Sequence, residues 1–285
     1  MNRKIFLLSI SLIAGCANLS AVRDISSQLL TAASSWDSVT GEIAGSCRRQ
    51  LTLNSQLTDC KIETQASDGL SAANGVLISY FKALKNAASD SNFTIQPGLS
   101  NATESIAKIP GINADQVKAA SGLFGLLARL ATEKMRESVL HELIGEGAPA
   151  AQTVISAMNE VVVPQLRTQL DGEGLQLQGQ FGRLIHEAKD RIEGNPSKLC
   201  EGSSAAKFSG TGFLLTQEYC RRQAIVDQRI AALAAYQATL KSTNDALAEL
   251  QSSKTKLGAA ALTQRLLEIG AELEDKVSAL QKAFK

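Results

Sequence analysis

The sequence predicts an all-α fold: an elongated bundle of long antiparallel helices, paired as helical hairpins with disulfide-stapled turns. Three observations carry this. Apolar residues recur at alternating spacings of three and four along most of the chain, the pattern of one buried helix face, and no run alternates as a half-buried strand does. Ala, Leu, Gln, Glu, Lys and Ser dominate, while aromatic residues make up 4% and prolines number five in 285 residues, a balance that favours helix over sheet. Finally, Cys47, Cys60, Cys200 and Cys220 fall where helices are expected to begin or end.

The chain opens with an address. Arg3 and Lys4 precede an apolar run over residues 5–15, broken only by Ser9 and Ser11, that closes on Ala14 and Gly15 before Cys16. A basic end, a short apolar core and a small-residue exit are the parts of a secretory signal peptide. The run is too short to span a bilayer, which takes roughly 20 apolar residues. Ile13-Ala14-Gly15-Cys16 resembles the lipobox of bacterial lipoprotein signal peptides. The resemblance implies a diacylglycerol on the Cys16 thiol, removal of residues 1–15, and acylation of the new amino terminus. Cys16 then becomes both the first mature residue and the membrane anchor, since several acyl chains hold stably where one is marginal. In that family an aspartate after the cysteine often marks inner-membrane retention. Ala17 stands there instead, which implies the outer membrane, facing the periplasm, with cell-surface exposure left open. Residues 16–22 read as a lipidated tether and 23–285 as the helical bundle, with a candidate sub-boundary near 89–112.

With Cys16 lipidated, an even four cysteines remain in an exported chain, which predicts two disulfides. Of the three pairings, Cys47–Cys60 and Cys200–Cys220 close the shortest loops. No CxxC is present, so neither thiol redox chemistry nor a zinc knuckle is indicated.

The first helix carries Ile25, Leu29, Ala32, Trp36, Val39, Ile43 and Cys47 as one stripe and ends near Leu51; residues 52–58 read as a turn. A second helix, about 59–88, buries Ile62, Leu70, Val76, Leu77, Tyr80, Phe81 and Leu84. A Cys47–Cys60 bridge would staple the tip of this hairpin. Residues 89–100 read as a loop and 101–109 as a short helix. Asn113 suits the N-cap of a helix over 114–144, whose stretch 119–131 is the most apolar internal segment, interrupted by Arg129. Gly122 and Gly125 either permit close helix approach or are merely tolerated. Gly145, Gly147 and Pro149 read as the break before a helix over 150–170, with Val154, Met158, Val161 and Leu166 inward and a kink at Pro164. Asp171-Gly172-Glu173-Gly174 reads as a break or joint. The pattern resumes with Leu177, Phe181, Leu184, Ala188 and Ile192 and stops at Gly194-Asn195-Pro196. After a loop over 200–212, a long helix over 213–252 aligns Val226, Leu233, Tyr236, Leu240, Thr243, Leu247 and Leu250. A last helix, about 259–284, aligns Leu262, Leu266, Ile269, Leu273, Val277, Leu280 and Phe284.

Motifs for chemistry are lacking. His141-Glu142 and His186-Glu187 lack the second histidine of a zinc-protease helix, and Ser138 and Arg183 stand where a di-iron bundle needs glutamate. No P-loop, GxGxxG or GxSxG occurs. Glu268, Glu272, Glu274 and Asp275, interleaved with Lys276 and Lys282, read as a solvated helix face. With 29 basic against 28 acidic residues and no aromatic stacking platform, nucleic acid is not an expected partner. The expectation is a non-enzymatic envelope scaffold that binds a protein partner, is held to the membrane by lipid on Cys16, and needs no cofactor or metal. The stripes can pair within one chain or between copies, which leaves a homo-oligomer open. The alternative is a membrane-active protein resembling hairpin pore-forming toxins, which would expose residues 119–131; a small-ligand carrier or an enzyme is the third reading.

Overall fold

The computed structural model describes residues 3–53, 59–89, 101–133, 135–187, 200, 210–257 and 259–283, with side chains left aside for 3–18, 136 and 283. The Cys16 side chain therefore lies outside the described residues. So do the turn at 54–58, most of the loop at 89–100, Ala188, Ile192, Gly194-Asn195-Pro196, residues 201–209 and Phe284. All described regular structure is helical.

The first limb comprises α1 (Arg3–Ser35), α2 (Asp37–Thr40) and α3 (Glu42–Leu51). Its joints, Trp36 and Gly41, keep right-handed helical backbone angles, so the limb reads as one interrupted helix. Every residue of its predicted stripe is buried, from Ile25 to Cys47. α1 runs through the stretch read as a tether, and Ala21 and Val22 are already buried; the packed bundle starts closer to Cys16 than the sequence suggests.

Helix α4 (Lys61–Ala88) folds back antiparallel along this limb. The Ala44 N–H donates to Ser67 Oγ at 3.1 Å, and Asn74 Nδ2 donates to the Ala33 carbonyl at 3.0 Å. The tip is stapled by Cys47–Cys60, with an S–S distance of 2.03 Å and Cα atoms 5.9 Å apart. Ile62, expected in the core, is exposed: the inward positions of α4 begin at Ala66, so Ile62 sits a turn beyond the packed layer.

The short helix α5 (Ala102–Ile106) rests on α4 at Gly69. A Cβ there would stand 2.5 Å from the Ser105 carbonyl oxygen, so only glycine admits this approach. Asn113 opens α6 (Ala114–Leu130) with a capping box completed by Gln116, as its residue type dictates. The helix expected to continue to residue 144 instead ends at Leu130, and α7 (Arg136–Glu142) turns back. Arg129 bridges this hairpin to Glu142 and Glu146, and Leu126 meets Gly147. Folding back sets Leu123, Leu127 and Leu130 and, on the other arm, Val139, Leu140 and Leu143 into the same core, which a straight rod could not do. Gly122 and Gly125 have open space around them; the glycines of close approach are Gly69 and Gly147.

The larger departure lies between residues 136 and 187, where the expected breaks are absent. α7 leads into a π-helical turn (Leu143–Gly147), then α8 (Ala148–Ala157), a second π-helical turn (Met158–Val162) and α9 (Val163–Glu187). Each π turn ends two residues before a proline, Pro149 and Pro164. A proline has no N–H to donate, and its ring crowds the carbonyl one turn earlier. The wider π turn shifts the acceptor register and absorbs both defects. It also rotates the inward stripe: Val162 is buried where Val161, half-buried, was expected. Residues 171–174 lie inside α9 without interruption.

Helix α10 (Gly210–Ser252) spans 43 residues, about 65 Å at the rise of an α-helix. It runs antiparallel to α9, with Gly174 against Gln223, while Gln152 of α8 donates to the Asn244 carbonyl at 3.3 Å. α11 (Ala260–Ala283) lies against α10 and α1, joined by Lys276 Nζ donating to Ser242 Oγ at 2.7 Å. One core runs from Ala21 to Leu280 and includes Ile106 and Ile109, so residues 89–112 do not divide the chain. Trp36 anchors its centre, with an edge-on contact to Tyr236 and Nε1 donating to Thr239 Oγ1 at 2.9 Å. No described helix is long and apolar enough to cross a membrane.

Candidate functional site

Both staples lie at one end of the bundle. Cys200–Cys220 joins the foot of α10 to the segment after α9, with Cα atoms 5.3 Å apart. Beside it Leu177, Phe181, Ile185, Tyr219 and Val226 form a second, smaller apolar cluster, against which Leu53, just beyond α3, packs together with Cys220. The first hairpin tip is thus seated on the second.

Between α3, α9 and α10 at this junction is a chain of ionic side chains. Glu173 of α9 is 3% exposed. Its Oε1 accepts from Arg49 Nε at 2.6 Å, and its Oε2 accepts from Arg49 Nη2 at 3.0 Å and from Ser46 Oγ at 2.8 Å. This is the two-pronged geometry that a guanidinium offers a carboxylate. Arg49 Nη2 also meets Glu42 at 2.9 Å, and Glu42 in turn faces Arg229 Nε at 3.2 Å. Burial pulls the Arg49 pKa down, but the hydrogen bonds it donates to Glu173 and the charge of Glu42 outweigh it, and the net shift is upward. For Arg229 burial prevails: it holds the guanidinium below its ordinary value despite Glu42. Among the described residues, Arg229 Nη1 is buried with no hydrogen-bond partner.

These groups border a cleft of 220 Å³ whose polar lining is Arg49, Thr52, Glu173, Arg221, Arg222 and Arg229. Leu53, Leu177 and Ile225 form its apolar wall. Arg221 and Arg222 both pair with Glu218, Arg222 through Nε at 2.6 Å, and the Arg222 guanidinium stands 5.6 Å from the centre of the Phe181 ring. Four guanidinium groups thus face three carboxylates, Glu42, Glu173 and Glu218, which leaves the cleft positive.

The residues singled out from sequence fall elsewhere or serve as supports. The cysteines pair as expected and hold the two tips. His141 and His186 are both exposed. Glu272 pairs with Lys276 on the face of α11. Cys47, Cys60 and Glu63 come within metal-binding distance of one another, but a disulfide sulfur is not the thiolate that a metal takes. The apolar side of α6 is turned inward at Ala120, Leu123, Leu126, Leu127 and Leu130. None of the ionic chain was anticipated. One signal was present: Leu166, Leu170, Leu177 and Phe181 leave Glu173 in an apolar slot of the α9 stripe, and a carboxylate there requires a buried partner. Comparison with protein-family models, curated proteins and solved structures returns no match.

Proposed function

We propose that this chain is an outer-membrane lipoprotein of the bacterial envelope that works without catalysis, as a periplasmic scaffold holding a protein partner. The observation that carries the reading is the polarity of the rod. The lipobox cysteine, Cys16, lies on α1, whose limb continues through α3 to Arg49 at the stapled end. They stand 33 positions apart on near-continuous helix, about 50 Å at helical rise. Acyl chains on Cys16 would fix one end, and the stapled end, with its charged cleft, would be presented away from the bilayer. Two disulfides suit an oxidising compartment.

Support for a binding role comes from what converges at the cleft: guanidinium groups, carboxylates and aliphatic walls, which recognise and position a ligand. Exchanging Cys16 for serine tests the anchor. The variant should be lost from the outer-membrane fraction and take up no labelled palmitate, with its helical circular dichroism intact. Continued outer-membrane fractionation with the same palmitate label would refute the reading.

A further inference from the structure

We propose that the arginine cleft at the stapled end is a binding site for an aliphatic carboxylate, in particular the C-terminal carboxylate of a partner chain that ends in an aliphatic residue. The proposal deepens the scaffold reading by naming the chemistry of its partner, and it rests on that reading only for the partner's being a protein.

Three features of the cleft lead there. The first is charge left over: Arg49 is satisfied by Glu173 and Glu42, while Arg229 lines the cleft and has to share Glu42 with it. Four guanidinium groups set against three carboxylates leave the edge of the cleft able to draw an anion. The second is geometry. Arg222 meets Glu218 through Nε, so that, among the described residues, its two terminal amino groups remain to reach an acceptor. Its guanidinium is steadied over the Phe181 ring, which holds the fork in place for two-pronged capture of a planar oxyanion. The third is the wall formed by Leu53, Leu177 and Ile225. Paired with the positive edge, it suits a ligand whose anionic group adjoins a short branched hydrocarbon. A cleft of 220 Å³ is smaller than a drug-sized site, which runs to roughly 300–1,000 Å³, and fits one side chain with its carboxylate better than an extended ligand.

Isothermal titration of the full chain in non-ionic detergent tests this with three probes: an acetylated tetrapeptide ending in leucine with a free carboxylate, the same peptide as its C-terminal amide, and octanoate. The free-acid peptide should bind, and the amide should bind at least tenfold more weakly, since a charge-assisted pair is replaced by a neutral one. Arg229→Gln and Arg222→Gln should each weaken the free-acid peptide by roughly tenfold. Arg222 is the more exposed of the two, and its variant should melt within a few degrees of the parent, which separates lost binding from lost folding. Octanoate binding as tightly as the peptide would overturn the partner-chain source and leave a free aliphatic acid as the ligand. Equal affinity for acid and amide, unchanged affinity in both variants, or no binding of any probe would overturn the site itself. The outcome is independent of the anchor: a chain that is not lipidated can still select the carboxylate, and a membrane-bound chain can fail to.

Discussion

Glu173 occupies a position on α9 that its stripe neighbours fill with hydrocarbon, and it is tolerated because Arg49 and Ser46 satisfy both its oxygens. Removing one member of a buried pair strands the other charge, which typically costs about 3–5 kcal/mol. Glu173→Ala should therefore lower the stability measured by urea denaturation by about 3 kcal/mol, toward the low end because Arg49 retains partial solvent contact. Glu218 offers a contrasting case at the rim. Hydrogen bonds from Arg221 and then Arg222 hold its carboxyl down at about 2, from an ordinary 4.5. Because the folded-state value lies below the ordinary one, the contribution of this cluster is complete above about pH 4.5 and is lost as the pH falls toward 2. Carboxyl-carbon NMR should find Glu218 still ionised at pH 3.5, and Arg221→Gln together with Arg222→Gln should return its midpoint toward the ordinary range.

At the scale of elements, glycines decide where helices touch. Gly69 admits the turn after α5, and a methyl group there would meet a backbone carbonyl at 2.5 Å, a contact that cannot rotate away. Gly69→Ala should destabilise by about 1–3 kcal/mol through overpacking. Gly125, inside α6 with nothing within 4 Å, should behave oppositely: Gly125→Ala should stabilise by about 0.5–1 kcal/mol through helix propensity, as thermal melts would show. The contrast explains what was legible in the sequence. The stripes of the first limb and of α10 could be read residue by residue, and that of α11 from Leu262 to Leu280 save for the half-buried Ile269, because each faces a core along its length and spacing alone encodes burial. Along α7, α8 and α9 the local signals point to breaks that the chain does not make. Gly145, Gly147, Pro149 and Pro164 signal breaks locally, whereas here Gly147 takes the ring of Tyr80, whose hydroxyl donates to the Leu143 carbonyl at 3.0 Å, and the π turns absorb the prolines. Packing against α4 thereby overrides local propensity. The partners of Glu173 lie more than 120 residues away in sequence, and no local pattern announces them.

At the scale of the molecule, an antiparallel pair of hairpins joined into one core leaves two unlike ends. One carries the beginning of α1 and the turn between α10 and α11; the other carries both disulfides and the arginine cleft. A body of this kind suits a tether-and-hold role: long helices give reach, and the staples keep the distal tips folded without a large local core. The account depends on Cys16 being the anchored residue. Mass spectrometry of the amino-terminal peptide of the protein purified from membranes addresses this directly. The account predicts a peptide that begins at Cys16 and carries a diacylglycerol on sulfur with a further acyl chain on nitrogen. A peptide retaining residues 1–15, or one beginning elsewhere with an unmodified thiol, would contradict it.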